Sequence, residues 1–592
     1  MPRPKAWFAP LALVLIFLVA ACAELTPPRM PDNPAPRRSI WLDQGWSRAQ
    51  SDWFHHADQG VQTFRMPYEW FAALEQPGLS LTEMPLFSDQ TWLDRFGFVP
   101  GQQGLPIGFT HGPVYRDEQT GQAAVNPVSG KPLTGLGLTC AACHTGRLVY
   151  NGTELLIDGG ASATNLGAFG KALGLAVVYT KLVPSRFDRF AARVLGDRAP
   201  EEAKANLKAQ VAAWLAVGKR ALDLEKSATV KPPEEGFTRL DALNRIGNQA
   251  FAVELGVDGN HGPAVAPAHY AHLWEAPWFA WMHYNNAIMQ PMAVNVAQTL
   301  GVNARTNLTD PARPLFETSA DLRQLDRLQQ LLAGAPPKRR NRFSGLLAPK
   351  WPAALPPVDL ARAAKGKELY AELCQGCHLP PPDSDAFWKG PWWARIDGKG
   401  EQYLETKLIP LADIGTDPVH ATSLARRKVE LPASLGLSST GYVAAIGELA
   451  GRIIQRWYDQ QTPPLSAPER ARLDGNRPNR VQTPLAYRAR PLSGIWAAPP
   501  YLHNGAVPTL YDLLSPAAAR PMVFSLGGRE YDPVKVGYRD SQLPGSFILD
   551  TGKPGNGNRG HEFRDGPVGD GVIGRGLTEE EKHALIEYLK TL

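Results

Sequence analysis

The sequence predicts a mostly α fold with long irregular loops, on three observations. Apolar residues recur with helical periodicity in several stretches, of which the clearest are residues 166–183, 201–224 and 322–332. Glycine and proline are frequent, with 55 Gly and 54 Pro among 592 residues, so the connections between helices should be long and numerous. A short Cys-containing motif occurs twice, once in each half of the chain, and indicates a domain around each copy.

The overall composition is that of a globular protein of two or three domains. Hydrophobic residues make up 44% of the chain, which excludes an intrinsically disordered protein. The 62 basic and 57 acidic side chains leave a net charge of +5, too mild to indicate a nucleic-acid partner. A single long apolar run excludes a protein with many membrane spans.

The N-terminus has the pattern of an export signal that ends at a lipid-attachment site. Arg3 and Lys5 precede an apolar stretch over residues 6–21. Residues 19–22, which end in Cys22, resemble the lipobox of bacterial lipoproteins, in which the cysteine is acylated. We therefore expect a signal peptide over 1–21, a Pro-rich tether over 22–38, and a lipid-anchored protein in the periplasm or at the cell surface, at the outer membrane. The alternative is an ordinary leader or an uncleaved anchor, with Cys22 incidental.

The remaining four cysteines form two C-x-x-C-H motifs. In such a motif, two thiols add to the vinyl groups of one porphyrin and the adjoining His binds the iron. A thioredoxin-like redox pair does not need the His, and a zinc site would require further thiols that the chain lacks. The motifs predict two covalently bound haem c groups, one at Cys140, Cys143 and His144 and the other at Cys374, Cys377 and His378.

The region after residue 355 has the pattern of a small cytochrome. Residues 359–373 are helical in period, and Gly366 and Tyr370 precede Cys374 at a spacing that resembles the N-terminal helix of class I cytochromes c, where Gly lets the C-terminal helix cross closely. Thr578 and Glu581 form a capping box for that second helix, over residues 578–592. We expect two cytochrome c-like haem domains, at 39–340 and 356–592, joined by a linker over 341–355.

The sequence alone does not identify the second axial ligand of each iron. For the C-terminal haem, the candidates are His420, His503, His561, His583 and Met522, and His503 and His561 lie in Gly-rich loops that could approach a porphyrin. For the N-terminal haem, residues 269–292 are dense in aromatic side chains, which suits the wall of a haem or apolar-substrate pocket and equally suits plain core packing. The candidates for this distal pocket are Trp278, Phe279, Trp281 and His283.

Several segments together are similar to the dihaem cytochromes of the rubber oxygenase type. They are residues 67–71 (PYEWF), 105–109 (LPIGF), 236–244 (GFTRLDALN) and 492–505 (LSGIWAAPPYLHNG), together with the Trp-rich run. These cytochromes are distant relatives of the bacterial dihaem cytochrome c peroxidases and of the dihaem enzyme that matures the tryptophan tryptophylquinone cofactor.

The resemblance implies a role for each haem. His144 would be the proximal ligand of a reactive N-terminal haem, and His378 and His561 would bracket a C-terminal haem that relays electrons. His503 would support the haem site without binding iron, and Trp278, Phe279 and Trp281 are the nearest matches to the aromatic residues beside the reactive iron.

The leading hypothesis is an exported dihaem oxidoreductase that uses peroxide or dioxygen at the N-terminal haem. A peroxidase would also need a distal acid or base, for which Glu275 and His283 are candidates. Its partners would be a small redox protein or quinone-linked electron donor or acceptor, an apolar substrate, and the membrane through the lipid anchor. The alternatives are a non-catalytic electron carrier with both haems six-coordinate, through Met282, Met289 or a nearby His, and a haem-based sensor or accessory subunit.

Overall fold

The computed structural model describes residues 25–101, 104–117, 121–228, 230–339, 342–398 and 400–592. The predicted signal peptide and Cys22 lie outside the described residues. The described part of the tether, up to residue 37, contains neither helix nor strand. It is nevertheless attached to the body, because Tyr179 donates a hydrogen bond to the carbonyl of Leu25 (2.6 Å) and Asn33 donates one to the carbonyl of Gly527 (2.9 Å).

The α-helices vary from single turns to one of 27 residues. They are α1 (Arg48–His56), α2 (Tyr68–Ala73), α3 (Gln90–Asp94), α4 (Cys140–Cys143), α5 (Leu166–Leu182), α6 (Pro184–Leu195), α7 (Glu201–Ser227), α8 (Ala242–Gly247), α9 (Pro291–Gly301), α10 (Leu322–Ala333), α11 (Leu360–Leu373), α12 (Gln375–His378), α13 (Asp385–Lys389), α14 (Leu411–Ile414), α15 (Val419–Arg426), α16 (Tyr442–Asp459), α17 (Ala467–Leu473), α18 (Leu510–Leu513) and α19 (Glu579–Leu589). A π-helical segment, Asn248–Glu254, follows α8.

The β-strands are short and are spread along the whole chain. They are β1 (Arg38–Trp41), β2 (Phe109–Val114), β3 (Thr134–Leu138), β4 (Thr145–Tyr150), β5 (Thr153–Asp158), β6 (Arg239–Leu240), β7 (Ala268–His269), β8 (Trp393–Arg395), β9 (Gln402–Leu404), β10 (Lys407–Pro410), β11 (Ala486–Ala489), β12 (Val523–Leu526), β13 (Tyr531–Asp532), β14 (Gly537–Tyr538), β15 (Phe547–Asp550), β16 (Glu562–Phe563) and β17 (Val572–Gly574). Within the described residues, β1, β5 and β4 form a three-stranded sheet in that order, and the other sheets are pairs.

The expectation of a mostly α fold with two cytochrome c-like haem domains was wrong in its fold class. The chain is 37% helical and 15% strand, with many small sheets. The strands were missed because most of them are two to four residues long, which is too short for an alternating apolar pattern to be recognised.

The predicted helices are confirmed, and so is the predicted capping box. The helices α5, α7 and α10 begin at the predicted residues and end within three residues of the predicted ends. Asp359 caps α11, because its carboxylate accepts hydrogen bonds from the backbone amides of Ala361 (3.1 Å) and Arg362 (3.0 Å). The capping box of α19 is present, with Thr578 and Glu581 bonded reciprocally.

Gly366 is the point at which α11 and α19 cross. A Cβ atom built on Gly366 would lie 1.9 Å from the carbonyl oxygen of Ala584 and 2.8 Å from the Cβ of Tyr588. Only glycine permits so close an approach, so the role predicted for Gly366 is confirmed.

The hydrophobic core extends across the predicted linker at 341–355. One buried cluster combines Phe54 of α1 and Val294 of α9 with Ile446 of α16. Another combines Trp274 with Tyr370 of α11. The two halves of the chain therefore share core, and the exact domain boundaries stay a prediction.

A cluster of charged side chains also joins the two halves. Arg147 of β4 is ion-paired with Glu154 of β5 and with Asp94 of α3. Arg529, from the C-terminal half, donates from Nη1 to Asp94 Oδ2 at 2.9 Å, and its carbonyl accepts from the amide of Val149 at 2.9 Å. Both arginines are nearly inaccessible to solvent, so Asp94 neutralises charge that water cannot solvate.

Within the described part of the chain, no single helix is long and apolar enough to cross a membrane. The pair α5 and α6, bent by 105°, passes that test only when both helices are taken together, by length and composition. Eight residues of α5 are buried inside the protein.

Candidate functional site

The first C-x-x-C-H motif is a helical turn between two strands. Cys140 and Cys143 are the ends of α4, three residues apart, so both thiols lie on one side of the turn. The amide of His144 closes the turn on the carbonyl of Cys140, at 3.0 Å. Gly108 packs against this turn so closely that a Cβ atom there would lie 2.3 Å from the Cα of Ala142. The glycine of the LPIGF segment is therefore needed to seat the motif.

The His144 imidazole is buried beside the segment that follows β7. Burial lowers the pKa of His144 to about 4, opposed by the nearby carbonyl of Ala271, which favours the protonated form. The Nδ1 atom has no hydrogen bond of regular geometry among the described residues. His269 and His272 flank Ala271 in this segment, and the Nε2 atom of each is buried without a described partner.

The second motif follows directly on the long helix α11. Cys374 ends that helix, and α12 contains Cys377 and His378. The Nδ1–H of His378 donates a hydrogen bond to the carbonyl of Arg490 at 2.8 Å. This bond fixes the ring and its tautomer and leaves Nε2 free to bind a metal, as is usual for a ligating histidine.

His561 lies opposite His378. The two ring centroids are 6.2 Å apart and the ring planes are inclined at 63°. With a metal–nitrogen bond of about 2 Å and about 1 Å from nitrogen to ring centre on each side, imidazoles that share one metal have centroids roughly 6 Å apart. The pair has the separation that axial ligands of one iron require.

A largely apolar cavity of about 270 Å³ contains both of these histidines. Its wall includes the thiol-bearing residues of the second motif and a set of polar and aromatic side chains from both halves of the chain. The histidines, tyrosines, cysteines and arginines of this wall are His269, His272, Tyr284, Cys374, Cys377, His378, Tyr487, Arg488, Arg490, Tyr501, His503 and His561.

His561 is presented by a loop that one buried arginine holds. Its backbone is in the left-handed region, with φ 48°, and its amide donates to the carbonyl of Ile414 at 2.9 Å. Arg520 donates from Nη2 to the carbonyl of His561 (3.0 Å) and from Nη1 to that of Gly560 (2.9 Å). Burial, assisted by His378 and Arg520, lowers the pKa of His561 to about 3, so the ring is neutral and able to bind a metal.

The other predicted ligands of the C-terminal haem lie elsewhere. His503 stacks on Tyr487 with centroids 4.0 Å apart and lies 6.1 Å from the ring of His420. Both histidines are thus part of an aromatic cluster with Tyr487, and neither has a described ring contact with His378 or His561. Met522 is 75% exposed, and His583 of α19 contacts Tyr511 of α18.

The predicted distal tryptophans pack in a small buried cluster. Trp278 donates from its indole nitrogen to the carbonyl of Ala333 at 2.8 Å and stacks with Tyr403, with centroids 6.0 Å apart. Trp281 borders the same cluster, to which Met289 also belongs. No described contact of these two indoles reaches the first motif, so their place beside the reactive iron stays a prediction.

Phe279 and His283 also lie close in space to residues of the second half of the chain. Phe279 is fully buried in a cluster with Leu379, the residue after His378. The guanidinium carbons of Arg488 and Arg490 lie 5.0 and 5.2 Å from its ring centroid. Burial lowers the pKa of His283 to about 3, and its ring nitrogens have no partner among the described residues.

Glu275, the other candidate acid or base, lies near Arg490. Burial raises the pKa of its carboxyl to about 7, opposed by a hydrogen bond from Ser493 and by the charge of Arg490. Met282 lies at the border of the large cluster that Cys140 also borders. Neither residue is described in contact with His144, and both roles stay predictions.

Sequence reasoning missed the three arginines that organise the site. Arg490 holds His378 through its carbonyl, and Arg520 holds the loop of His561. Arg488 and Arg490 are two residues apart, and only Pro491 separates them from the LSGIWAAPPYLHNG segment. Their spacing was the signal in the sequence that could have identified them, because alternate residues of a strand point to one face.

The donor groups of both motifs fit a covalently attached haem. Among the described residues there is no disulfide, and Cys140, Cys143, Cys374 and Cys377 are free thiols. Burial raises the pKa of Cys140 to about 11 and that of Cys374 to about 12, so neither is a thiolate in the apoprotein. Among the described residues, no group of three or more His, Cys, Asp or Glu side chains could hold a metal ion by itself, so the donor set of a structural zinc site is not found there.

Comparison with known proteins supports this reading of the site. A family model described as "RoxA-like, cytochrome c-like" matches residues 486–525, which contain Arg488, Arg490 and His503. A cytochrome c-like domain implies haem c as the cofactor.

Two curated proteins of Sinorhizobium fredii (strain NBRC 101917 / NGR234) are similar to the chain. "Uncharacterized protein y4iJ" is 50% identical over 596 residues, which cover 100% of both chains. "Uncharacterized protein y4iM" is 31% identical over 258 residues, which cover 40% of this chain and 51% of that protein. The match of residues 486–525 to the RoxA-like, cytochrome c-like model indicates a haem-binding cytochrome. By its identity over the whole length, the chain belongs to the same family as y4iJ.

Proposed function

We propose that the protein is an exported dihaem c-type cytochrome with oxidoreductase activity. One haem is held by Cys140, Cys143 and His144 and reacts with peroxide or dioxygen. The other is held by Cys374 and Cys377, between His378 and His561, and relays electrons. Each iron supplies one-electron redox chemistry when the haem is bound.

The difference between the two motif histidines carries this proposal. His378 has a second imidazole opposite it, with the 6.2 Å separation of two axial ligands, which favours a six-coordinate haem suited to electron transfer. For His144, no ring partner is found among the described residues. Its neighbours are instead His269 and His272, whose Nε2 atoms are buried and unpartnered. The enzymatic proposal requires that neither of these imidazoles binds the iron of the first haem, because peroxide or dioxygen needs an open coordination position.

The chain's own residues provide positioning and a dry environment. The carbonyl of Arg490 orients His378, and Arg520 keeps His561 facing it. Burial keeps both imidazoles neutral, so no proton has to leave when iron binds. At the first motif, Gly108 and the β3–α4–β4 frame fix His144.

The surroundings of the reaction are also proposed. An electron donor or acceptor, either a small redox protein or a quinone-linked enzyme, would exchange electrons with the C-terminal haem. The aromatic run at 269–292 suits an apolar substrate. Lipid attachment at Cys22 would hold the protein at the outer membrane, in the periplasm or at the cell surface.

Spectroscopy of the purified holoprotein tests the function. We expect a pyridine haemochrome assay to give two haems per chain, and EPR to show one low-spin haem and one haem that binds cyanide, or CO after reduction. His561→Ala should convert the low-spin haem to a high-spin one and leave the signal of the other haem unchanged. His503→Ala is the matched control, a cavity histidine that should leave both signals in place.

Two low-spin haems that are inert to added ligands would contradict the enzymatic proposal. That result would instead indicate a non-catalytic electron carrier, with a residue such as Met282 closing the N-terminal site. If a reactive haem is found, turnover of peroxide with a reduced small cytochrome and product analysis with polyisoprene distinguish a peroxidase from an oxygenase.

A further inference from the structure

Two arginines of the cavity wall have no role in holding a motif cysteine or in facing an iron. Arg488 is in β11 and Arg490 follows that strand, so the two side chains lie on the same face. Both line the cavity that contains Cys377, His378 and His561.

All described contacts of these guanidinium groups are with neutral partners. Arg488 donates to the carbonyl of Trp281 at 3.1 Å. Arg490 donates to the carbonyls of His272 and Trp274, both at 3.0 Å. The two groups share the ring of Phe279, and the Nε atom of each is buried with no partner among the described residues. Each side chain thus has a hydrogen-bond donor left over.

The positive charge of the pair is not neutralised by the protein. Neither arginine forms an ion pair with a described carboxylate, and the acid whose charge reaches Arg490 is Glu275. Among the described residues, no carboxylate lies within ion-pair distance of either guanidinium group, and the Nε–H of each is left without an acceptor. A buried cation without a bound anion is costly, so this part of the cavity suits an anionic group.

We propose that Arg488 and Arg490 bind the two propionate carboxylates of the haem that is attached at Cys374 and Cys377. The inference rests on the proposed function, because it needs a haem at the second motif. Thioether bonds fix one edge of that haem, and its carboxylates are the anions that are brought into the cavity with it. A guanidinium group binds a carboxylate through two parallel hydrogen bonds, and the free Nε–H is one of the donors that such a bond uses.

The test is a spectroelectrochemical redox titration of the holoprotein and of Arg488→Gln, Arg490→Gln and the double variant. A cation beside a haem favours the reduced state, so each substitution should shift the midpoint potential of the low-spin haem to a lower value, and the double variant should shift it most. The haemochrome assay should still give two haems per chain, because the thioether bonds are unchanged.

Arg477→Gln is the matched control. Arg477 is also buried and donates to two backbone carbonyls, and its guanidinium lies over an aromatic ring, at 4.4 Å from the centroid of Tyr403. It does not line the cavity. Its substitution should leave the potential unchanged.

Arg488→Lys and Arg490→Lys keep the charge and should stay near the wild-type potential. An equal fall in the Lys and Gln variants would overturn the proposal, since packing and not charge would then be responsible. Unchanged potentials in the Gln variants, or an equal shift in Arg477→Gln, would also overturn it. So would a wild-type potential that responds to added phosphate while the variants do not, because the pair would then bind a soluble anion. Absence of haem at the second motif in the wild type would instead refute the proposed function.

Discussion

At the scale of single residues, His561 shows how the site depends on side chains far from it in the sequence. Its left-handed backbone is unfavourable for a residue with a Cβ atom. Arg520 compensates by binding the carbonyls of Gly560 and His561. The His561 assignment came from a resemblance and agrees with the ring geometry. Arg520 could not have been predicted, because nothing in its local sequence tells which carbonyls it will meet.

Glu275 supports a prediction about pH. Its folded-state pKa, raised by burial to about 7, exceeds the ordinary value of 4.5. The folded state therefore binds this proton more tightly than the unfolded state, and the stability it contributes at low pH is lost as the pH rises through 7. Between pH 5 and 8, the free energy of unfolding of Glu275→Gln should gain roughly 1–3 kcal/mol relative to the wild type.

Denaturant unfolding at several pH values measures this difference. Glu368→Gln, at an exposed position of α11, is the control and should follow the wild type across the range. A Glu275→Gln variant whose advantage does not grow with pH would show that this carboxyl is ionised throughout.

At the scale of elements, the crossing of α11 and α19 is the part of the fold that the sequence specifies best. Helical period, the Asp359 cap and the Thr578 capping box are local signals, and all three are present in the structure. The short strands are not specified by local signals of this kind. Each is defined by its partner, and β12 pairs with β15 across about twenty residues that include the β13–β14 pair and that no periodic pattern marks.

Gly366→Ala should destabilise the protein. The added methyl group would lie 1.9 Å from the carbonyl oxygen of Ala584, so the helices must separate, at a cost of about 1–3 kcal/mol in the free energy of unfolding. Denaturant unfolding followed by circular dichroism measures the loss.

Gly170 and Gly174 in α5 provide the control, because a Cβ atom at either position meets nothing within 4 Å. Alanine there should stabilise the protein by about 0.5–1 kcal/mol through helix propensity. If Gly366→Ala were as stable as these variants, the close crossing would not exist in solution.

At the scale of the whole molecule, the two halves are joined by core and by charge. The cluster of Arg147, Arg529, Asp94 and Glu154 links the N-terminal sheet to the C-terminal half. Asp94→Asn would leave both arginines short of a negative partner in a buried place. We expect a loss of about 3–5 kcal/mol in the free energy of unfolding, as for a buried pair that loses one partner.

The same variant should lower the denaturant midpoint of probes in both halves, since Asp94 is shared between them. Asp397→Asn removes one partner of the exposed Arg480–Asp397 pair and is the control, with little expected change. Loss of structure in the N-terminal half alone would contradict the idea that this cluster couples the halves.

The whole-molecule arrangement was the least predictable from sequence. The spacing of residues in the sequence predicted the two motifs, their histidines and the helix pair α11 and α19. The shared core did not, because residues such as Trp274 and Tyr370 carry no mark that they will pack in one cluster. The distal residues of the first haem remain a prediction for the same reason.

The double use of Arg490 has a consequence for how the protein is made. Its carbonyl supports His378, and its guanidinium binds the carbonyls of His272 and Trp274, in the segment that lies against His144. In the exported protein that we propose, the first C-x-x-C-H motif would cross the membrane before residue 490, because export begins at the N-terminus. The enzymes that attach haem would then meet that motif before its supporting segment is in place. Assembly of the first centre would be completed only when the second half of the chain has arrived.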